Sequence, residues 1–490
     1  MKSVNMSFQN TRTNEEKTAT QAVLKGLGHK GGLFVPDAIP KLTTEPWKDP
    51  NLTYQDYAYI VLSQFFTELS EADLKDAIGK AYSPDRFSAK SPAPIVNFGN
   101  LSFLELFHGP TLSFKDMALS ILPHLVNKSE TINGDSTHKI ILTATSGDTG
   151  KAALEAFKNI PNTTVIVFYP TDGVSPLQKQ TMTTQTGDNV HVFGVDGNFD
   201  DAQRGVKEIL NNKDLQEMLA SKNMAFSSAN SINIGRMLPQ VVYYFWAYAQ
   251  VVAGGVPAGT PINFVVPTGN FGNILAGFFA KTMGLPIDTL VCATNSNNVM
   301  YDYFKTGTFN PDRPFYTTIS PAMDINIPSN FERLVYFACG EKETAQLFEQ
   351  LKEQGKFDLK LEMDKTGFVS YFATEEETKT AIANVYEKYN YVIDPHTAVA
   401  YHAYQEHITP NPTVIVSTAS PYKFTKTVMD TLKPDQANLD DFEQIKAMAT
   451  LKKEKSPTAI GDLKNMKEIH TKTIKTSDMQ KTIEDVLKKQ

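Results

Sequence analysis

Along the chain, short apolar runs end in Gly-rich turns and are followed by apolar residues at helical spacing. KIILTAT (139–145) leads through SGDTG into KAALEAF, and INFVVP (262–267) leads through TGNFGN into ILAGFFA. Runs that are apolar throughout are typical of strands buried on both faces, and strand–turn–helix repetition predicts parallel sheets covered by helices. Further strands are predicted at TTVIVFYP (163–170), NVHVFGVD (189–196), TLVCAT (289–294) and TVIVST (413–418), and from Phe103 to Phe107. Residues 1–93 are more polar and read as loops and helices around Gly31 and Gly32, a separate cap. The expected organisation is therefore this cap, one α/β domain over 94–255, a second over 256–430, and a helical, Lys-rich extension over 431–490 that reads as a solvated periphery.

The most apolar stretch, Val241–Ala258, is interrupted only by Gln250, but Gly254, Gly255 and Pro257 break its second half and a strand follows at once. It reads as a buried helix, not a membrane span. With 490 residues and 41% hydrophobic content, the chain can hold two to four domains of ordinary size. Against 47 basic residues stand 54 acidic ones, a net charge of −7, which offers no field for nucleic acid or anionic lipid, so neither is an expected partner. Cys292 and Cys339 are too few and too far apart for a disulfide framework, and the opening MKSVNMSFQNTRTNEEK lacks the apolar run of a secretory signal. A cytoplasmic location is expected. The nine histidines show no metal-ligand spacing, so no metal site is expected, and no GxSxG elbow supports a serine hydrolase.

Four turns carry chemical content. In LSFLELFHGPTLSFKDMALSILPHL, HGPT is a tight turn and Ser113 with Asp116 forms a capping-box-like helix start, which puts Lys115 in the first helical turn. Burial and the positive end of a helix dipole both disfavour an ammonium there and expose a nucleophilic amine. VVPTGNFGN delivers Thr268, Gly269, Asn270, Phe271, Gly272 and Asn273 from a strand to a helix start, a cup for a phosphate without the Lys-Ser/Thr of a Walker loop. Thr145 to Gly150 offers the hydroxyls of Ser146 and Thr149, with Asp148 between, to a second anion. In SSANSINIGRMLPQVVYYFW, Asn230, Ser231, Asn233 and Arg236 gather before an aromatic helix, and a guanidinium among such residues invites an anion. Finally, TVIVST ends at Ser417 and Thr418, where a hydroxyl can face a heteroaromatic nitrogen; Asp394-Pro395-His396-Thr397 reads as a structural helix start.

FHGPTLSFKDMAL, TATSGDTGKAAL, SSANSINIGRMLPQ, PTGNFGNILAG, DPHTAVA and STASPYKF, in this order, resemble the threonine synthase family of the bacterial and fungal type, from the NTRTNEEKTATQ opening to about residue 430. The resemblance implies the fold of tryptophan synthase β and other fold-type II pyridoxal phosphate enzymes, two parallel-sheet α/β domains around the cofactor. It implies that Lys115 holds pyridoxal 5'-phosphate as a Schiff base, that Gly269, Asn270, Phe271, Gly272 and Asn273 surround the cofactor phosphate, and that Thr418 meets the pyridine nitrogen. Asp148 is expected near the ring oxygen or the substrate carboxylate, and Asn230, Ser231, Asn233 and Arg236 at the substrate phosphate, with Ser146, Thr149, Thr111, Ser113 and Lys423 as further substrate contacts. The implied reaction turns O-phospho-L-homoserine and water into L-threonine and phosphate, in a monomer or homodimer. Two alternatives use the same residues: a phospholyase on O-phosphothreonine or O-phosphohomoserine that releases 2-oxobutyrate, and a non-catalytic ligand-binding relative. Asn295, Ser296 and Asn297 after TLVCAT offer no acidic ribose partner, which argues against a dinucleotide oxidoreductase.

Overall fold

The computed structural model describes residues 6–488 except 146–147, 172–173, 228 and 363–365, without the side chains of residues 148, 199 and 200. At the amino-terminal end, β1 (Ser7–Asn10) and β2 (Thr13–Thr18) form an antiparallel hairpin, and β3 (Phe34–Pro36) pairs with the other side of β1. Nothing in the hydrophobic pattern marks β2. TNEEKT is a charged strand at the sheet's edge, where lysine and glutamate discourage further pairing and leave no apolar alternation to read. The helix Tyr54–Leu62 follows in the cap and buries Tyr54, Tyr57, Ala58, Val61 and Leu62.

The chain continues with β4 (Ile95–Phe98), β5 (Leu101–Glu105), β6 (His138–Ala144), β7 (Thr163–Pro170), β8 (Val190–Asp196), β9 (Met224–Ser227), β10 (Ile262–Pro267), β11 (Ile287–Thr294), the short pair β12 (Thr308–Phe309) and β13 (Phe357–Asp358), β14 (Phe368–Phe372), β15 (Thr413–Ser417) and β16 (Thr473–Lys475). Two sheets form, a six-stranded one in the order β14-β11-β10-β15-β5-β4 and a five-stranded one in the order β16-β8-β7-β6-β9. Within these two sheets all pairs are parallel except β4 with β5. The strands expected at 163–170 and 262–267 fall on those residues. The strand expected from Phe103 to Phe107 runs from Leu101 to Glu105.

Two expectations about organisation need correction. The division at residue 255 does not follow the sheets, because β4 and β5 belong to the six-stranded sheet with β10 and β15, while β6 to β9 form the other. The pairing of β5 with β15, Leu101 opposite Thr413, joins segments 312 residues apart (413 − 101), and local patterning carries no trace of it. Nor are residues 431–490 a solvated periphery. β16 extends the five-stranded sheet beside β8, and the helix Met479–Leu487 buries Met479, Ile483, Val486 and Leu487 in the same apolar cluster as Val206 and Ile209.

The helix predicted near Val241–Ala258 runs from Ile234 to Ala253, with 17 of its 20 residues buried, so it is surrounded on every side. It packs on the cap helix Tyr54–Leu62 and on the helix Gly272–Thr282 that follows β10. Its place inside the protein explains an apolar sequence without a bilayer, and among the described residues no helix is long and apolar enough to cross a membrane.

Candidate active site

β10, β15 and β5 are consecutive and parallel, so their carboxyl ends lie side by side about 4.8 Å apart, the edge at which open α/β sheets bind ligands. β10 ends at the 268–273 turn, β15 at Thr418, and β5 at the turn that leads to Lys115. Beyond the strands the last two are joined by backbone hydrogen bonds: Leu106 N to Ser417 O at 3.0 Å, Phe114 N to Thr418 O at 2.8 Å and Ser420 N to Leu112 O at 3.0 Å. Lys115, half-buried, is the first residue of the helix Lys115–Leu119, as expected.

The capping box expected from Ser113 and Asp116 does not form. Ser113 bridges Ala419, and Asp116 turns back to accept from Thr111 N at 2.8 Å and Thr111 Oγ1 at 2.7 Å. The helix is only five residues long, so the dipole felt by Lys115 is that of little more than one turn. Burial pushes the Asp116 carboxyl up to about 6, against the two Thr111 hydrogen bonds and the charges of Lys423 and Arg86. Lys423 Nζ donates to Thr111 O at 2.8 Å, so Thr111, Ser113, Asp116 and Lys423 form one polar patch beside Lys115.

The 268–273 turn is walled on several sides. A Cβ at Gly269 would stand 2.5 Å from Ala322 O, so only glycine allows that close approach. Ala322 N in turn donates to His396 Nε2 at 3.1 Å, and His396 Nδ1 lies 2.6 Å from Asp394, which caps the helix Pro395–Glu406. DPHT is thus a helix start that also pins the wall of the turn. Asn270 O accepts from Asn330 N and Nδ2, both at 3.1 Å. Phe271 adopts the left-handed conformation (φ 66°) and its ring packs among Phe304, Phe331 and Phe368, so it serves the turn through its backbone. Gly272 and Asn273 open a helix that has no side-chain cap. Asn273 is 6% exposed; its Oδ1 accepts from Tyr243 and Tyr244, while its Nδ2 has no partner among the described residues.

The five-stranded sheet contributes two neighbouring parallel strand ends, those of β6 and β9. After β6, Thr145 Oγ1 accepts from Gly150 N at 3.1 Å, and Thr149 lies half-buried in the first turn of the helix Asp148–Phe157. Ser146 and the Asp148 side chain lie outside the described residues. After β9 come Asn230, exposed, and Ser231, whose hydroxyl accepts from Asn330 Nδ2 at 3.2 Å. Asn233 caps the helix Ile234–Ala253 through Gly235 N and donates to Val23 O, both at 2.9 Å, so its carboxamide is engaged by the fold. Arg236 is 4% exposed and donates to Ala229 O at 2.5 Å, and its Nε has no partner among the described residues. Burial pulls its guanidinium down to about 10, with Asp116 close enough to pull the other way, so it stays charged at neutral pH.

Sequence reasoning missed Arg333. Fully buried, it donates to Phe34 O at 3.0 Å, Ile232 O at 2.5 Å, Ser231 O at 3.4 Å and Asn330 Oδ1, tying the cap, the 230s loop and the wall of the turn together. The only available signal was the scarcity of arginine, six in all. Glu332, beside it, binds Arg12 at 2.6 Å and Thr11 Oγ1 at 2.5 Å, which gives the NTRT opening its place.

Comparison with known proteins agrees with this geometry. The family described as pyridoxal-phosphate dependent enzyme matches residues 91–419, with threonine synthase amino-terminal and carboxy-terminal families matching 7–82 and 397–483. Threonine synthase from Saccharomyces cerevisiae is 36% identical over 497 aligned positions that cover 92% of this chain and 95% of that one. The chain belongs to the threonine synthase family. Two solved structures of that family superpose over nearly the whole chain: PLP-bound threonine synthase from Brucella melitensis (34% identity, TM-score 0.87, 98% of this chain and 99% of that one) and the yeast enzyme (32%, 0.88, 99% of each). The family's cofactor is pyridoxal phosphate. The residues present fit it: a lysine at the start of the helix that follows β5, and at the neighbouring turn an uncapped helix amino terminus with a buried amide nitrogen that has no partner among the described residues, a donor set made for a phosphate.

Proposed function

We propose that this chain converts O-phospho-L-homoserine and water to L-threonine and phosphate. The observation that carries the reading is the side-by-side delivery of Lys115, Thr418 and the 268–273 turn by three adjacent parallel strands, with buried Arg236 within charge range of Asp116 next to Lys115.

In this reading Lys115 holds the cofactor covalently, the backbone of Gly269, Asn270, Phe271 and Gly272 and the amide of Asn273 hold its phosphate, and Thr418 meets its ring nitrogen. When bound, the cofactor supplies an electron sink that acidifies the hydrogens of the attached amino acid. The Lys115 amine would then move protons at the substrate carbons. Arg236, Asn230 and Ser231 grip the γ-phosphate, first as part of the substrate and then as the leaving group. Thr149, in the first turn of the helix after β6, completes the substrate's surroundings. Thr111, Ser113 and Lys423 act through the polar patch around Asp116, and Asn233 acts by positioning the helix that carries Arg236.

The test is incubation of the cofactor-loaded protein with O-phosphohomoserine, with phosphate release measured and the carbon product identified. Threonine and phosphate in equal amounts support the reading; 2-oxobutyrate would replace it with a lyase.

A further inference from the structure

The helix Ile234–Ala253 carries more than Arg236. On the same side, at helical spacing, lie Gln240, Tyr243 and Tyr244, all buried. Gln240 Nε2 donates to Arg236 O at 2.8 Å, and Tyr243 OH lies 3.1 Å from Gln240 Oε1 and 2.7 Å from Asn273 Oδ1. Tyr244 OH lies 2.9 Å from the same Asn273 Oδ1 and 2.9 Å from Asn273 O. Two phenols thus converge on one carboxamide oxygen. The approach is built in: a Cβ at Gly277, one turn along the facing helix, would stand 2.9 Å from Tyr244 Cε1. Burial holds both phenols well above their ordinary range, so they stay protonated donors.

A carboxamide has an oxygen end that accepts and a nitrogen end that donates, and an anion discriminates between them. With both hydroxyls on Oδ1, the nitrogen end of Asn273 is left pointing the other way, buried and without a partner among the described residues. We propose that Tyr243 and Tyr244 are positioning residues that lock the Asn273 amide with its NH₂ presented to the phosphate of the cofactor. The inference rests on the reading of the 268–273 turn as the cofactor's phosphate cup. Without the hydroxyls the amide is free to rotate and offers the phosphate an oxygen part of the time, which a dianion repels.

The test is the dissociation constant of pyridoxal phosphate, titrated by visible absorbance into the full-length chain after cofactor removal, with the ³¹P resonance of the bound phosphate as second readout. Asn273→Ala is expected to weaken binding about 10-fold, the size of one lost charge-assisted hydrogen bond. Y243F and Y244F, which keep the rings and their packing, are each expected to weaken it severalfold and shift the resonance, yet to change nothing further in the N273A background. Equal weakening in both backgrounds would overturn the proposal, since the tyrosines would then act on the fold at large. No effect of either tyrosine change where N273A does weaken binding would overturn it too. Unchanged binding in N273A would instead remove the reading of the turn as the phosphate cup. The two single changes are read separately, so failure of one to fold leaves the other to decide.

Discussion

The two sheets present their strand ends differently. The six-stranded sheet brings three adjacent ends together, those of β10, β15 and β5, and stitches the segments beyond them with hydrogen bonds such as Phe114 N to Thr418 O. The five-stranded sheet brings two, β6 and β9, and the groups that follow β9 are held largely by residues from elsewhere: Ser231 by Asn330 and Arg333, Asn233 by the carbonyl of Val23. In the proposed function this difference separates the tasks. Cofactor groups ride mainly on one continuous ladder, with the 268–273 turn also braced by Asn330, while substrate groups depend on the cap and on the 330s segment being in place. Damage to the first should therefore cost cofactor and activity together, and damage to the second should cost substrate use while the cofactor stays.

Loss of the amine at 115 should have the largest effect. Lys115→Ala is expected to lower kcat by on the order of 10⁴-fold, the upper range for a proton-transfer group, and to abolish covalent retention of the cofactor; steady-state assays and absorbance spectra check both. On the other sheet, Arg236→Ala should lower kcat/KM for O-phosphohomoserine by about 10²- to 10³-fold with cofactor affinity unchanged, as expected for a buried charge removed from its anion. Parallel loss of cofactor would erase the separation of tasks.

Arg333 probes the stitching itself. Arg333→Ala leaves the carbonyls of Phe34 and Ile232 buried without their donor and is expected to destabilise the protein by about 3 kcal/mol, read by denaturant unfolding, with substrate KM raised before cofactor binding weakens.

The smallest effect concerns pH. The Asp116 carboxyl sits at about 6 in the folded protein against an ordinary value of 3.8, so between these values the folded state binds more protons than the unfolded one. Stability contributed by the neutral form is complete below about 4 and is lost as pH rises to about 6, at most about 3 kcal/mol for a shift of this size. Asp116→Asn should flatten that slope relative to the wild type, measured by unfolding at pH 4, 5, 6 and 7. An unchanged slope would place the titration elsewhere.

The parallel strands were legible because burial on both faces writes itself as an unbroken apolar run, as at 163–170 and 262–267. The cap hairpin and β16 were not, since short strands that are mostly polar owe their form to their neighbours: TNEEKT in β2 buries no residue and TIK in β16 buries only Ile474. The site motifs could be read because strand, small-residue turn and helix follow one another in sequence. What each side chain does within them could not. Asn233 looks like a ligand and is a cap, Phe271 looks like part of a cup and points its ring into an aromatic cluster, and Tyr243 and Tyr244 look like core while their hydroxyls reach a turn 29 to 30 residues away. Such assignments depend on partners that only folding brings close.

The central claim is that one lysine, at the start of the helix after β5, holds the cofactor. Borohydride reduction of the pyridoxal phosphate-loaded protein, followed by peptide mass spectrometry, tests it most directly. The account predicts the reduced cofactor's mass on the peptide carrying Lys115 and on no other; the same mass on Lys151, Lys423 or any other lysine, with Lys115 unmodified, would contradict it.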